Sequence, residues 1–328
     1  MKMKHHVLTG LALLPMFAHA GLADRGGLSG EISLIGGVVS TDSNLSTSSD
    51  PIKNSPLNSS GNSETDSIFG PLGSVAFTWG EGLNHQIFAG TTREDIAVGT
   101  IALEIGYKHE LASGTQITAA YLPTVVSEEV WANPYLTDSA RSETDKSGNA
   151  YRLQVNRIGG SPLSLDFAYA QTEIDNEQSG ANSFSLSEQN QLARDGDTFY
   201  TKASYRQFLG RGLGIAPAVV YLNHDADGDA MSYQSIGGEL SYFSFAGRNK
   251  IVLTAKYHVR DYDAMNPVFN TTREDKDYGA FLAYEYGEIF GMESLSFISL
   301  AGYNNTDSNI DFYNTSQYLF SLGVSYKF

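Results

Sequence analysis

The end of the chain alternates without a break. Tyr318, Phe320, Leu322, Val324, Tyr326 and Phe328 share one parity, and Ser321, Gly323, Ser325 and Lys327 share the other. Successive side chains of a strand point to opposite faces, so this stretch is a strand with one apolar and one polar face. The same pattern recurs upstream. Apolar sets at every second position include Ile32, Leu34 and Val38; Ile101, Leu103, Ile105 and Tyr107; Leu163, Leu165, Phe167 and Tyr169; and Ile251, Leu253, Ala255, Tyr257 and Val259. Beyond the N-terminal leader no stretch approaches the ~18 consecutive apolar residues of a membrane helix. The 33 Gly, 19 Tyr and 17 Phe against 9 Pro fit many short strands joined by tight turns.

Alternation suits a soluble sandwich with its apolar face inward, or a membrane barrel with its apolar face outward. Loop lengths and aromatic positions separate the two. Fourteen strands are predicted, near 28–39, 70–79, 85–91, 97–109, 115–124, 150–158, 163–174, 198–208, 213–223, 231–244, 250–260, 278–286, 293–303 and 316–328. The second and third are the least marked, and twelve strands is the alternative. Every second gap is short, as at Gly80 to Asn84 and Gly159 to Pro162, while the intervening gaps near 41–69, 125–149 and 175–197 are long and polar. Outer-membrane barrels have short periplasmic turns and longer outside loops. With odd strands running outward, Tyr121, Tyr169, Tyr221, Tyr257, Tyr303, Tyr151, Tyr278 and Tyr318 gather at the outer boundary. Trp79, Tyr107, Tyr205, Tyr242, Tyr286, Tyr326 and Phe328 gather at the inner one. Two such girdles mark where rings meet lipid headgroups. The expectation is an all-β, antiparallel up-and-down transmembrane β-barrel of about 14 strands.

The first twenty residues read as an address. Lys2 and Lys4 precede a short apolar run, Val7 to Phe17, and Ala18-His19-Ala20 supplies a small-x-small cleavage pattern. That order is a secretory signal, which makes residues 1–20 a leader and 21–328 a single barrel domain.

The terminal run from Tyr318 to Phe328, closed by an aromatic residue, resembles the assembly signal of Gram-negative outer-membrane β-barrels, including porins. That resemblance implies insertion by the barrel-assembly machinery. The mature start, Gly27-Leu28-Ser29-Gly30-Glu31-Ile32-Ser33, resembles an uncharacterised family of outer-membrane barrels from marine gammaproteobacteria, which brings no activity and no site residues.

Charge and composition narrow the function. The net charge is −16, with 37 Asp plus Glu against 21 Lys plus Arg, so nucleic acid is not the expected partner. There is no Cys, which excludes thiol chemistry and cysteine metal sites. The acidity falls almost entirely in the outer connections, where it attracts cations, bridges lipopolysaccharide through divalent ions, or is simply solvated. Asp225-Ala226-Asp227-Gly228-Asp229 has carboxylates at alternate positions, but an EF-hand needs Gly where Ala230 stands and a carboxylate where Ile236 stands. An acidic hairpin loop is the better reading, and no metal is expected. His224 beside Asp225 is the only seed of a catalytic group, and neither a Gly-x-Ser-x-Gly elbow nor a His-Glu-x-x-His motif is present. No catalytic residue and no cofactor are assigned.

The first strand begins soon after the expected cleavage site. That leaves no room for the N-terminal plug of a TonB-dependent receptor or the hatch of a long-chain fatty-acid transporter. What fits is a monomeric channel for passive diffusion of small hydrophilic solutes. Its expected lumen lining is Glu104, Arg152, Asp166, Lys202, Arg206, Glu239, Lys256 and Arg260, which would set field and size cutoff. A surface adhesion or receptor barrel acting through its outer loops is the alternative, and a barrel hydrolase a more distant one.

Overall fold

The computed structural model describes residues 21–92, 95–96, 102–124, 127–137 and 139–328. The expected leader, residues 1–20, lies outside them, as do residues 97–101 of the fourth expected strand. The chain forms one closed antiparallel sheet. Its strands are β1 (Gly27–Asp42), β2 (Ser63–Trp79), β3 (His85–Gly90), β4 (Glu104–Glu110), β5 (Gln116–Pro123), β6 (Glu128–Trp131), β7 (Glu143–Asn156), β8 (Leu163–Ile174), β9 (Gly196–Tyr205), β10 (Gln207–Gly210), β11 (Leu213–Ala226), β12 (Tyr233–Ala246), β13 (Asn249–Asn266), β14 (Thr271–Gly287), β15 (Leu295–Ser308) and β16 (Thr315–Lys327). β6 pairs only with β7, outside the main path. β9 and β10 both pair with β11 and form one stave broken at Arg206. Fourteen staves remain, and β1 pairing with β16 closes the ring from Glu31↔Lys327 to Asp42↔Ser316. Closure leaves no open sheet edge, which is what lets a sheet cross a bilayer.

The parity of each strand sorts its side chains as its pattern requires. Ile32 and Leu34 are each 55% exposed on the outer wall, while Ser33 between them is 4% exposed inside. The outward aromatics form the two expected girdles. In the upper one Tyr121 packs on Tyr151, Tyr169 on Phe199, and Tyr303 on both Tyr278 and Tyr318. In the lower one Trp79, His85 and Tyr107 stack side by side. The apolar band between them is the membrane face of an outer-membrane-type barrel.

Inside, rings lie over glycines on the facing strand. Phe88 covers Gly106, Phe281 covers Gly302, and Phe243 covers Gly214, each pair being register partners. A Cβ at Gly106 would sit 2.6 Å from the Phe88 ring and 2.8 Å from the Ala119 carbonyl oxygen. Gly106→Val is therefore expected to cost about 1–3 kcal/mol through overpacking. The check is a lower temperature for the conversion of folded to unfolded bands on a heat-modifiability gel.

Fourteen staves, not twelve, are present, but several boundaries differ from those predicted. β2 starts at Ser63 and β7 at Glu143, earlier than the alternation alone suggested, because their polar upper ends pair above the membrane. The stretch 261–277, predicted as a loop, is a tall hairpin. β13 and β14 pair up to Asn266↔Thr271, so only Pro267 to Asn270 turns. Hydrophobic alternation stops at the bilayer, whereas backbone pairing does not.

Candidate functional site

The barrel wall brings most of the expected lumen residues together in one belt. Arg152 of β7 is the centre, with a side chain only 14% exposed. Its Nη1 donates to Asp95 at 2.7 Å, its Nη2 to Asp166 at 2.6 Å and to Asp95 at 3.0 Å, and its Nε to Asp166 at 3.0 Å. Nη1 also bonds Glu104 of β4, whose side chain is 1% exposed. Three carboxylates thus enclose one guanidinium, whose planar fork can serve several acceptors at once. Asp95 comes from the connection between β3 and β4, where the Thr92 hydroxyl also donates to it, so Asp95 is tied inward to the wall.

The belt continues around the ring. Lys202 of β9 pairs with Glu239 of β12. Lys256 of β13 is the register partner of that same Glu239 but makes no ion pair or hydrogen bond among the described residues. Arg260 stands higher, donating to Asp277 at 2.5 Å, contacting Asp275 at 3.4 Å and stacking on Tyr233 at 4.9 Å. Arg206 does not join them. It sits at the break between β9 and β10, near the inner end, with its guanidinium 6.0 Å from the Phe243 ring. Asp95 was missed from the sequence because a single carboxylate in a short polar loop carries no periodic signal.

The largest buried side chains lie above the barrel rather than within it. Trp131, Ala132, Tyr135, Leu192, Ile310, Phe312 and Tyr313 are all 0–6% exposed, and all belong to outer connections. Tyr135, Leu192, Ile310, Phe312 and Tyr313 form one cluster, with Leu57, Val268 and Phe269 packed against it. Their loops leave from nearly opposite arcs of the ring. The Tyr135 loop lies between β5 and β7 and the Tyr313 loop between β15 and β16, yet their hydroxyls hydrogen-bond at 2.7 Å. Asn266 at the β13 tip donates to Tyr313 at 2.8 Å, and the Arg273 guanidinium lies 3.7 Å from the Tyr313 ring.

Three further segments lock onto this core: 43–62, 175–195 and 227–232. Asn44 donates to the carbonyls of Phe312 and Ser59, and Arg141 donates to the Asn44 carbonyl while stacking on Trp131 at 4.2 Å. Arg194 bonds Glu177 and the Trp131 carbonyl. The backbone N–H of Ala230 reaches the Gln191 carbonyl, tying the acidic loop to the same assembly. A capping box of Ser185 and Glu188 starts the one-turn helix α1 (Leu186–Asn190), which delivers Leu192 into the core. The outer loops therefore make a folded cap across the mouth. Trp131 to Tyr135 and Ile310 to Tyr313 are apolar islands in otherwise polar connections, and that was the available signal.

Electrostatics inside the cap follow from burial. Lys53 is 7% exposed, and burial, then the nearby Arg141 charge, lower its ammonium from the ordinary range; Asn44, Ser55 and Ser59 hold it. Burial pushes the Tyr313 hydroxyl well above its ordinary 10.0, and it also raises Tyr135. A phenol raised in the folded state contributes stability that is whole below its unfolded value and is lost as pH climbs through the folded one. The cap is accordingly expected to loosen above about pH 10, read as a reversible rise in bilayer current between pH 8 and pH 11.

His224 hydrogen-bonds Thr198 at 2.9 Å and packs on Tyr233. Among the described residues no group of three or more His, Asp and Glu could hold a metal ion. The chain matches the family described as "Protein of unknown function (DUF2860)" over residues 27–327.

The chain belongs to the DUF2860 family. No curated protein matches it. Among solved structures, the outer membrane channel DcaP of Acinetobacter baumannii is similar at a TM-score of 0.45 and 10% identity, covering 94% of this chain and 100% of that one. OmpT, an outer membrane protein of Vibrio cholerae, gives 0.43 and 10%, covering 94% and 99%. OprD of Pseudomonas aeruginosa gives 0.37 and 12%, covering 95% and 98%.

Proposed function

We propose that this chain is an outer-membrane channel for passive diffusion of small hydrophilic solutes, closed at rest by its cap. The observation that carries the reading is the belt of fixed charges on the inner wall of a barrel whose outer wall is apolar. Charges at that position set the field a passing solute meets. Glu104, Arg152, Asp166, Lys202, Glu239 and Lys256 act at the belt. Arg260 acts just beneath the cap, and Arg206 at the inner exit. The cap then decides when the passage is accessible from outside.

No reaction is assigned to the chain. Assembly through the strand Thr315–Lys327 and its aromatic end, contact with lipopolysaccharide at the acidic rim, and a monomeric state belong to the same proposal. The test is swelling of proteoliposomes in isosmotic arabinose. Slow swelling with the wild-type protein and faster swelling with a cap-loosened variant support the channel. A folded barrel that swells in neither form overturns it.

One observation favours a second reading. The outer loops pack on each other into a shaped platform, as a surface receptor or adhesion barrel would need. Cap-loosened protein that loses capture of a surface partner at unchanged conductance would support that role.

A further inference from the structure

The belt is charged on only one side. Phe281 of β14, Leu300 of β15, Ile35 of β1 and Leu72 of β2 fall near the depth of Arg152 once the register stagger is followed around the ring, with Ser321 of β16, the register partner of Leu300, between them. All four have the inward parity of their strands. The charged arc, from Glu104 to Lys256, occupies the other half. Lys256 stands at the seam. Its register partner on β14 is Gly279; a Cβ there would lie 2.6 Å from the Asn304 Oδ1 and 3.1 Å from the Lys256 Cε, so both side chains reach over that glycine. Phe281 is the next inward residue on β14, a diagonal neighbour of Lys256. Its ring lies against Gly302, whose register partner on β16 is Leu319.

The carboxylates near Lys256 bond other residues. Glu239 is bonded by Lys202, and Asp277 accepts from Arg260 and from the Thr306 hydroxyl. Lys256 is therefore a lumen cation with no partner among the described residues, beside an apolar strip built from Phe281 and Leu319.

We propose that this seam is a binding site for small organic anions that carry an apolar body. The anionic group is held by the Lys256 ammonium, and the ring or branched alkyl body lies on Phe281 and Leu319. An ammonium is a compact point charge that accepts carboxylate or sulfonate equally, and the flat apolar wall rewards the body attached to it. This deepens the channel reading by naming a solute class, and it rests on that reading for its biological use.

The probe is benzenesulfonate, which stays ionised at all working pH values, with methanesulfonate as the anion lacking a body. Equilibrium dialysis against the full-length mature barrel in lipid nanodiscs, with empty nanodiscs as the blank, reads binding without requiring conduction. Excess benzenesulfonate binding is expected, with methanesulfonate a poor competitor. Lys256→Gln is expected to weaken it about tenfold, the value of a hydrogen bond to a charged group. Phe281→Ala should weaken it while leaving methanesulfonate unaffected. Heat-modifiability gels confirm that both variants are folded, and Lys256→Arg, which keeps the charge, should retain most of the binding. No excess binding, or equal binding in Lys256→Gln, overturns the inference. A barrel that conducts but does not bind the probe keeps the channel and loses this site; one that binds but never conducts does the reverse.

Discussion

Tyr313→Ala is expected to open the outer mouth while leaving the barrel folded. Tyr313 is 1% exposed, its hydroxyl joins Tyr135 and Asn266, and its ring lies under Arg273 and edge-on to Phe312. Deleting a buried aromatic side chain costs about 3–5 kcal/mol. Here the loss falls on a small core made of loops, with no strand ladder of its own to absorb it. The ladder hydrogen bonds of the fourteen staves do not pass through Tyr313, so the two parts should separate. Limited trypsin digestion is the check. Arg141, Arg194 and Lys53 are held inside or against the cap in the native protein and should become cleavable in the variant. The heat-modifiable band of the barrel should persist.

Arg152→Leu is the second large effect, and it acts on a different part. It leaves Asp95, Glu104 and Asp166 packed together with no guanidinium among them. Removing one partner of a buried ion pair costs about 3–5 kcal/mol. The expected outcomes are a lower unfolding temperature, release of the loop carrying Asp95 from the wall, and a reversal potential shifted toward cation preference. Asp95→Asn isolates the loop, because Arg152 keeps Asp166 and Glu104. It should raise conductance with little loss of stability. A drop in stability as large as that of Arg152→Leu would mean that Asp95 serves the wall rather than the passage.

The barrel was legible because a bilayer imposes a simple rule on a sheet. Runs such as Tyr318 to Phe328 and Ile251 to Val259 must alternate where lipid meets one face and water the other. The same rule predicts Glu104, Arg152, Asp166, Lys202, Glu239 and Lys256 on the polar faces of their strands. Where lipid stops the rule stops, and the upward extensions of β2, β7, β13 and β14 went unread for that reason. The cap was illegible for a related cause. Its core is assembled from single residues of several loops, Tyr135 meeting Tyr313 across 178 positions, and no local period marks such a meeting. Arg206, at the break between two strand segments, lies apart from the belt, with its guanidinium 6.0 Å from the Phe243 ring.

The most direct test of a capped channel is single-channel recording of the refolded wild-type barrel and its Tyr313→Ala variant in planar bilayers under a salt gradient. The account predicts rare, brief openings for the wild type, and for the variant long-lived openings of the same unit conductance and reversal potential, since the belt is unchanged. A folded variant with an opened cap that still passes no current would contradict it, and so would a wild type already open throughout.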